Sequence, residues 1–456
     1  MKSTLIRKRS SIALVSLLAL AIVALPSAAG AAAGDLDPSF GAGGKVATDF
    51  GGSDNGHAVL LQPNGKIIVG GSTSSGGTDF ALARYTTGGI LDPIFGEDGT
   101  VTTDFGGGDS VWGLAFRPEG GIVAAGNTNG GLAVARYRWD GSLDPTFDGD
   151  GKSTPALEGL WYDVALQADG RIVIVGCRGC LEGNSDFTVA RLNPNGTIDE
   201  GFGDQGGRTD TNFGDGDNAF AVAIQDDGRI VVGGWTGETP KGDFALARYN
   251  QNGDLDPTFD GDGKVTIDFG GGEHAYAVAI QSDGKIVVAG ESRDESGDYD
   301  FALARLNTDG SLDTQGLDRY MDAPFGVGGK VTTDFNGGED EALSVAIEPS
   351  GRIVLAGLAE PDPSTHEWDF GLARYNVDGS LDSSFGVGGK VVTSLSSSDD
   401  IALGTVVQRD GGIVAAGTAG DGTSTADFAL ARYLVSPCCS AGGSPPGGPA
   451  DPGPLP

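Results

Sequence analysis

The sequence predicts an all-β fold: a seven-bladed β-propeller of four-stranded antiparallel blades, closed by an N-terminal strand that completes the last blade. Three observations predict it. The phrase Asp-Phe-Ala-Leu-Ala-Arg-Tyr recurs at Asp79–Tyr85, Asp243–Tyr249 and Asp427–Tyr433, with close variants ending in Arg136, Arg191, Arg305 and Arg374. The seven arginines from Arg84 to Arg432 are separated by 52 to 69 residues, with a mean of 58, the period of a repeated supersecondary unit. The two ends of the repeat region are also complementary fragments of one unit.

Residues 220–269 show each element of a unit in order. Phe220-Ala-Val-Ala-Ile224 alternates, as a half-buried strand does. Asp227-Gly228 then supplies the positive φ that a tight hairpin requires. The second run, Ile230–Val232, is apolar throughout, as are Ile67–Val69, Ile172–Val175 and Ile286–Val288; strands buried on both faces read this way. A variable loop leads to the third run, Asp243–Tyr249, and Asn252-Gly253 turns the chain again. Asp254-Leu-Asp-Pro-Thr-Phe259 precedes the fourth run, Gly263-Lys-Val-Thr-Ile-Asp-Phe269. Each unit is therefore an antiparallel meander. By analogy with other propellers, the first run is placed innermost and the Lys-Val-Thr run outermost.

A small sheet with two apolar faces does not stand alone in water, since each buried Val or Ile side chain contributes about 1.5–3 kcal/mol. Radial stacking covers both faces and leaves only short edges, whereas an open solenoid needs distinct polar caps. The ends favour closure. Asp35–Phe40 and Gly44–Phe50 form the fourth part of a unit, and the last unit stops at Tyr433 after its third run. Gly44–Phe50 is expected to pair with Phe428–Tyr433.

These phrases, together with Asp378-Gly-Ser-Leu-Asp382, Phe385-Gly-Val-Gly-Gly-Lys-Val391 and Gln281–Gly290, resemble the delta-60 repeat over residues 35–434. That family comprises tandem repeats of bacterial, mostly exported proteins. The resemblance implies a propeller-like fold and carries no settled activity, so it transfers no catalytic residue. Gly131–Tyr137 departs from the phrase, and an insertion spans residues 314–324.

Residues 1–34 hold Lys2, Arg7, Lys8 and Arg9, an apolar run from Ile12 to Leu25, and then small residues, the pattern of a secretory signal peptide. The run is too short to span a bilayer, so no membrane span is expected. The whole chain carries a net charge of −34, and loss of those four cations takes it to about −38. Such a field repels nucleic acid and leaves cations, basic proteins and neutral glycans as partners. Of the four cysteines, Cys177 and Cys180 suit a local staple or free thiols, and Cys438 and Cys439 fall in a Pro/Gly-rich tail, residues 435–456, read as disordered.

Candidate site residues follow from the topology. The crossovers into the innermost strands are acidic: Asp54, Asp109, Asp215, Asp217, Glu273, Glu339, Asp340 and Asp399. They are expected to crowd one mouth of the central channel. Aromatic residues come next, Trp112, Tyr162, Phe220 and Tyr276, with His57 in the corresponding place; carboxylates beside rings suit a sugar or a cation. Trp235 and Trp368 lie in the variable loops of the same face, where scaffolds usually place binding residues. Phe147-Asp-Gly-Asp-Gly151 and Phe259-Asp-Gly-Asp-Gly263 make Asp148, Asp150, Asp260 and Asp262 candidate calcium ligands, although the closing bidentate Glu of a calcium loop is lacking. The recurring arginines are read as structural. The three histidines fall in different blades and no nucleophile or metal-protease motif accompanies them, so no catalytic residue is assigned. The expected function is that of a secreted, monomeric, non-catalytic binding module for an unidentified protein or glycan. The alternatives are a polysaccharide hydrolase or lyase with acids at the channel mouth, and a purely structural envelope or matrix component.

Overall fold

A computed structural model describes residues 31–435, except 130, 181–184, 215, 238–240, 295, 315–323 and 421–424. The expected signal sequence up to residue 30, Asp215, most of the insertion and nearly all of the tail, Cys438 and Cys439 included, lie outside the described residues. No helix among the described residues is long and apolar enough to cross a membrane. Seven four-stranded antiparallel sheets form seven blades. Their inner strands are Asp54–Leu61, Asp109–Phe116, Leu160–Leu166, Asn218–Ile224, Glu273–Ile280, Asp340–Ile347 and Asp400–Val407. Each inner strand lies against the inner strand of the next blade, and the seventh lies against the first. The order within a blade is the one expected, Ala-Val-Ala-Ile innermost and Lys-Val-Thr outermost.

Closure is also as expected. Lys45–Thr48 pairs antiparallel with the third strand of blade 7, Lys45 opposite Ala431 and Thr48 opposite Phe428. The second strands are almost wholly buried, and the apolar clusters run between neighbouring blades: Ile67, Val69 and Tyr85 of blade 1 pack with Phe40, Val414, Phe428 and Leu430 of blade 7.

What joins blade to blade is read from the phrase itself. The guanidinium of Arg248 donates to Asp256 at 2.8 Å, to Thr258 at 3.0 Å and to the backbone carbonyl of Thr308 in the next blade. It also lies over the ring of Phe259, 4.7 Å from the centroid. Arg84, Arg136, Arg191 and Arg305 repeat this, each pairing with the aspartate of the following Leu-Asp segment and reaching a turn carbonyl of the next blade. Arg374 pairs with Asp382 in the same way. The seventh, Arg432, has no such segment after it and takes Asp37, at the opposite end of the fold.

A backbone bond accompanies each latch. The residue after the conserved-in-repeat Phe donates its N–H to the turn of the next blade at 2.8–2.9 Å: Gly41 to Gly88, Gly96 to Asp140, Asp148 to Asn195, Gly203 to Asn252, Asp260 to Asp309, Gly326 to Asp378 and Gly386 to Ala33. Ala33 thus stands where blade 7 would have its own turn. The phrase tyrosine adds a third contact. The hydroxyls of Tyr85, Tyr137, Tyr249 and Tyr375 donate to Thr48, Thr103, Thr211 and Thr333 of the preceding blade's outer strand at 2.7–2.8 Å. Where blade 5 carries Leu306 instead, the preceding outer strand ends in Ile267, and the two share one apolar cluster. Cys177 and Cys180 are joined by a disulfide.

Arg248→Ala leaves buried Asp256 with only the partly exposed Arg229 and one turn carbonyl without its donor, which is expected to destabilise the fold by about 1.5–3 kcal/mol. A denaturant midpoint unchanged from that of the parent protein would show the arginine to be dispensable.

Candidate functional site

Each inner strand contains a β-bulge at the same place. In blade 1 the pairing steps from Gly56↔Gly71 to Ala58↔Gly70, leaving His57 unpaired; the equivalent extra residues are Trp112, Tyr162, Phe220, Tyr276, Leu343 and Leu403. A bulge bends its strand and re-aims one side chain. Here all seven point into the central channel, around a space of about 330 Å³.

The glycine opposite each bulge permits it. A Cβ on Gly234 would sit 1.9 Å from the carbonyl oxygen of Asn218, and Gly71, Gly126, Gly176, Gly290, Gly357 and Gly417 meet the equivalent carbonyl at 1.7–2.0 Å. The obstructing atoms are backbone, so no rotamer relieves the clash.

Five consecutive bulges carry rings. His57 stacks on Trp112 with centroids 4.3 Å apart, Trp112 meets Tyr162 edge-on at 5.6 Å, Tyr162 stacks on Phe220 at 4.5 Å, and Phe220 meets Tyr276 edge-on at 5.4 Å. Leu343 and Leu403 complete the circle with aliphatic surface. The His57 Nδ1–H donates to the carbonyl of Val111 at 2.8 Å, and burial holds the imidazole below its usual value, hence neutral. One step along the strands, small residues in other blades give way to Asp163, whose carboxylate accepts the N–H groups of Val164 and Val222 at 2.8 and 2.9 Å. Enclosure in the channel pushes its carboxyl up to about 7. Ser344 occupies that position in blade 6, and its Oγ accepts the N–H of Thr405 at 2.9 Å.

A second group adjoins Tyr276. Its hydroxyl donates to Glu291 Oε1 at 3.2 Å, and the same oxygen meets His274 Nδ1 at 2.5 Å. Glu341 of the next blade shares a hydrogen bond with Glu291, and burial together with that neighbour raises its carboxyl well above the ordinary range. Trp235 closes the group edge-on to His274 at 4.8 Å.

The crossover acids behave differently from expectation. Asp54, Asp109, Asp217, Glu273 and Asp340 are fully buried, as is Asp400, and none lines the channel. Each carboxylate accepts a backbone N–H of its own crossover at 2.5–2.7 Å, from Phe50, Phe105, Phe213, Gly271, Phe335 and Leu395 respectively for Asp54, Asp109, Asp217, Glu273, Asp340 and Asp400. The bond fixes the turn and draws the acid inward, away from the mouth. Glu339 and Asp399 remain exposed; Asp399 accepts the N–H of Trp368 at 3.2 Å, and Glu339, Glu360, His366 and Trp368 border a loop-face groove of about 230 Å³. Asp148, Asp150, Asp260 and Asp262 are exposed turn residues: Asp148 and Asp260 have φ of 49° and 48°, and Asp150 and Asp262 accept the N–H of Lys152 and Lys264 at 2.9 Å.

Trp112, Tyr162 and Tyr276 are thus brought together; Trp235, on the second strand of blade 4 and not in its variable loop, reaches Tyr276 through His274, and Trp368 borders the separate loop-face groove. Asp163, His274, Glu291 and Glu341 were not singled out from sequence. Comparison across blades marks three of them: Asp163 replaces Ala, Gly or Ser, Glu291 stands where other blades have Ser72, Asn127, Cys177, Trp235, Leu358 or Thr418, and Glu341 stands opposite Leu358.

Gly234→Ala is expected to cost at least about 1–3 kcal/mol, as overpacking against rigid neighbours does; an unaltered melting temperature would refute the bulge's need for glycine. Asp163 keeps its proton to about pH 7 when folded, against 3.8 unfolded, so its contribution is full below the lower value and is lost as pH rises through the higher one. Asp163→Ser keeps an acceptor for Val222 and removes the titration. Between pH 5 and pH 8 the variant's melting temperature is expected to gain on the parent's; parallel curves would contradict the assignment.

Six segments, residues 62–95, 118–147, 167–202, 225–259, 281–315 and 348–385, match the family described as a domain of unknown function (DUF5122) beta-propeller. Five of the six matches run from the inner hairpin of one blade to the Phe beneath its arginine, and the fifth segment stops at residue 315, short of Phe325. None of the curated proteins matches the chain by sequence. Among solved structures, the chain is similar to the extracellular domain assigned to a one-component system of B. thetaiotaomicron, at 12% identity and a TM-score of 0.46, covering 85% of this chain and 39% of that one. It is also similar to a protein of unknown function from Dyadobacter fermentans, at 13% identity and a TM-score of 0.42, covering 89% and 98% of the two chains. A third is a catalytically inactive virginiamycin B lyase from Staphylococcus aureus with quinupristin, at 10% identity and a TM-score of 0.45, covering 85% and 98%. In blades 1 to 6 the chain is thus similar to the DUF5122 beta-propeller repeat, and its seven four-stranded blades are those of a β-propeller.

Proposed function

We propose that the protein is an exported binding module that seats a glycan in the mouth of its central channel. The observation that carries this reading is the arc of five rings, contributed by five successive blades at one level, around a space of about 330 Å³. Rings directed into a channel are not needed to pack the blades, because Leu343 and Leu403 occupy the same position in blades 6 and 7. A pyranose presents C–H faces to such rings and hydroxyls to polar neighbours, here Asp163, Ser344 and Thr405. The strongly acidic surface favours neutral or basic glycans over polyanionic ones.

The Glu291–Glu341 pair favours a second reading, a glycan-cleaving hydrolase or lyase. The Glu341 carboxyl, raised above the ordinary range, is hydrogen-bonded to Glu291 beside a tyrosine hydroxyl, an arrangement suited to acid–base work.

A glycan array followed by titration of a hit, read by tryptophan fluorescence, tests the first reading. Trp112→Leu and Phe220→Leu borrow the residue that blades 6 and 7 tolerate, and each is expected to weaken binding by about tenfold, ~1.4 kcal/mol, with melting unchanged. Full affinity in both variants would dismiss the arc as the site. Chromatography of the bound glycan separates the two readings: release of product supports cleavage, and intact ligand supports the module.

A further inference from the structure

At four of the junctions between blades, three carboxylates converge. They are Asp49, Asp54 and Asp427; Asp79, Asp104 and Asp109; Asp243, Asp268 and Glu273; and Asp300, Asp334 and Asp340, each group with one oxygen per residue within 4.8 Å of the others. The members hold fixed places in the repeat: the first residue of the phrase, the aspartate after the outer strand, and the first acid of the next inner strand.

The junction between blades 4 and 5 shows what is missing. Glu273 is fully buried, and its Oε1 accepts the N–H of Gly271 at 2.7 Å and faces Ser292 Oγ at 3.5 Å. Its Oε2 is buried without any hydrogen-bond donor, while Asp243 lies within hydrogen-bonding reach of the Glu273 carboxyl. Asp109 and Asp54 likewise each bury one oxygen that no donor reaches. Among the described residues, no Lys, Arg or His forms an ion pair with Asp79, Asp104, Asp109, Asp243, Asp268 or Glu273. A buried carboxyl oxygen that no donor reaches, beside two further carboxylates, is costly to ionise, and burial pushes the Glu273 carboxyl up to about 7 unless a positive charge joins the group.

The geometry points to a divalent cation, calcium by its donor set, bound at these blade junctions through one oxygen from each of the three acids. Calcium takes oxygen ligands at about 2.3–2.6 Å, so oxygens sharing one ion stand within about 5 Å of each other, and water completes the shell. Magnesium demands a tighter octahedron and gives up its water reluctantly, so it is the weaker occupant. The chain supplies its own contrast in blade 3. There Asn212 replaces the middle aspartate, and its amide donates to Asp186 at 2.8 Å, so a neutral hydrogen-bond donor fills the role that the cation takes elsewhere. Such ions would tie the third strand of one blade to the inner strand of the next, on the face opposite the arginine latches along each phrase.

The test uses the full-length chain. Calorimetric titration with calcium chloride after dialysis against EGTA is expected to give up to four ions per chain, and thermal unfolding is expected to shift upward in calcium more than in magnesium. Asp104→Asn, Asp268→Asn and Asp334→Asn, combined, place at three exposed positions the residue that blade 3 already uses. This variant is expected to fold, to bind three fewer ions and to lose most of the calcium-induced shift. No heat and no shift in the parent protein would overturn the proposal, as would undiminished calcium binding by the folded triple variant. A variant that melts higher than the calcium-free parent and no longer responds to calcium supports it, since the amides then relieve the same repulsion.

Discussion

The ring depends on a buried arginine used seven times. A guanidinium has five donors in a fixed plane, and each arginine divides them between a carboxylate of its own blade and, in five blades, a carbonyl of the next. A lysine, with a single rotatable ammonium, does not span both. Burying such a charge is unfavourable unless every partner is in place, so the latch forms only when two blades have met in the correct register. That requirement explains why the phrase repeats so faithfully. It also bears on the closure: Arg432 is neutralised by Asp37, from the opposite end of the repeat region, together with Asp410 of its own blade.

Much of this architecture was legible in the sequence because it follows from period and chemistry alone. Repeat number came from the arginines, strand order from analogy with other propellers, and closure from the split unit shared between Gly44–Phe50 and Phe428–Tyr433. The candidate site was less legible. A run such as Glu273-His-Ala-Tyr-Ala-Val-Ala-Ile280 reads as simple alternation, and nothing in it announces that Tyr276 is an extra residue. The bulge is encoded on the other strand, by Gly290, whose missing Cβ admits the carbonyl of His274. Glycine in a strand is a recognised sign of a bulge or close approach, and it was present in all seven second strands. The crossover acids misled for a related reason. Their sequence neighbours are turn residues, which suggested solvent, yet a short backbone bond to a carboxylate draws Asp109 or Asp340 fully inside.

Differences among blades show which contacts act as units. The Tyr–Thr hydroxyl pair persists at four junctions and is replaced at another by Leu306 against Ile267, both members changing together. A lone tyrosine hydroxyl facing Ile267 would lose its acceptor, and a lone threonine facing Leu306 would lose its donor. The exchange of Asp for Asn212 follows the same logic, since the amide supplies a donor that a third carboxylate lacks. Repeats therefore diverge by interaction, not by residue.

Seven near-identical blades would enclose a symmetric channel, and a symmetric channel has no preferred orientation for a ligand. The bulge resolves this by separating two tasks. Gly290 and its equivalents hold the backbone, while the re-aimed side chain carries little packing duty, as the leucines at 343 and 403 show. Such positions are free to vary, and they have varied into a contiguous arc of His57, Trp112, Tyr162, Phe220 and Tyr276 that faces two aliphatic blades. The polar exceptions fall beside that arc: Asp163 under Tyr162, and Glu291 with Glu341 at Tyr276. One side of the channel thus offers flat rings with ionisable groups at their margins and the other offers aliphatic surface. A ligand with distinct faces meets that asymmetry in one orientation, which is the property a recognition site requires and a ring of identical repeats does not supply.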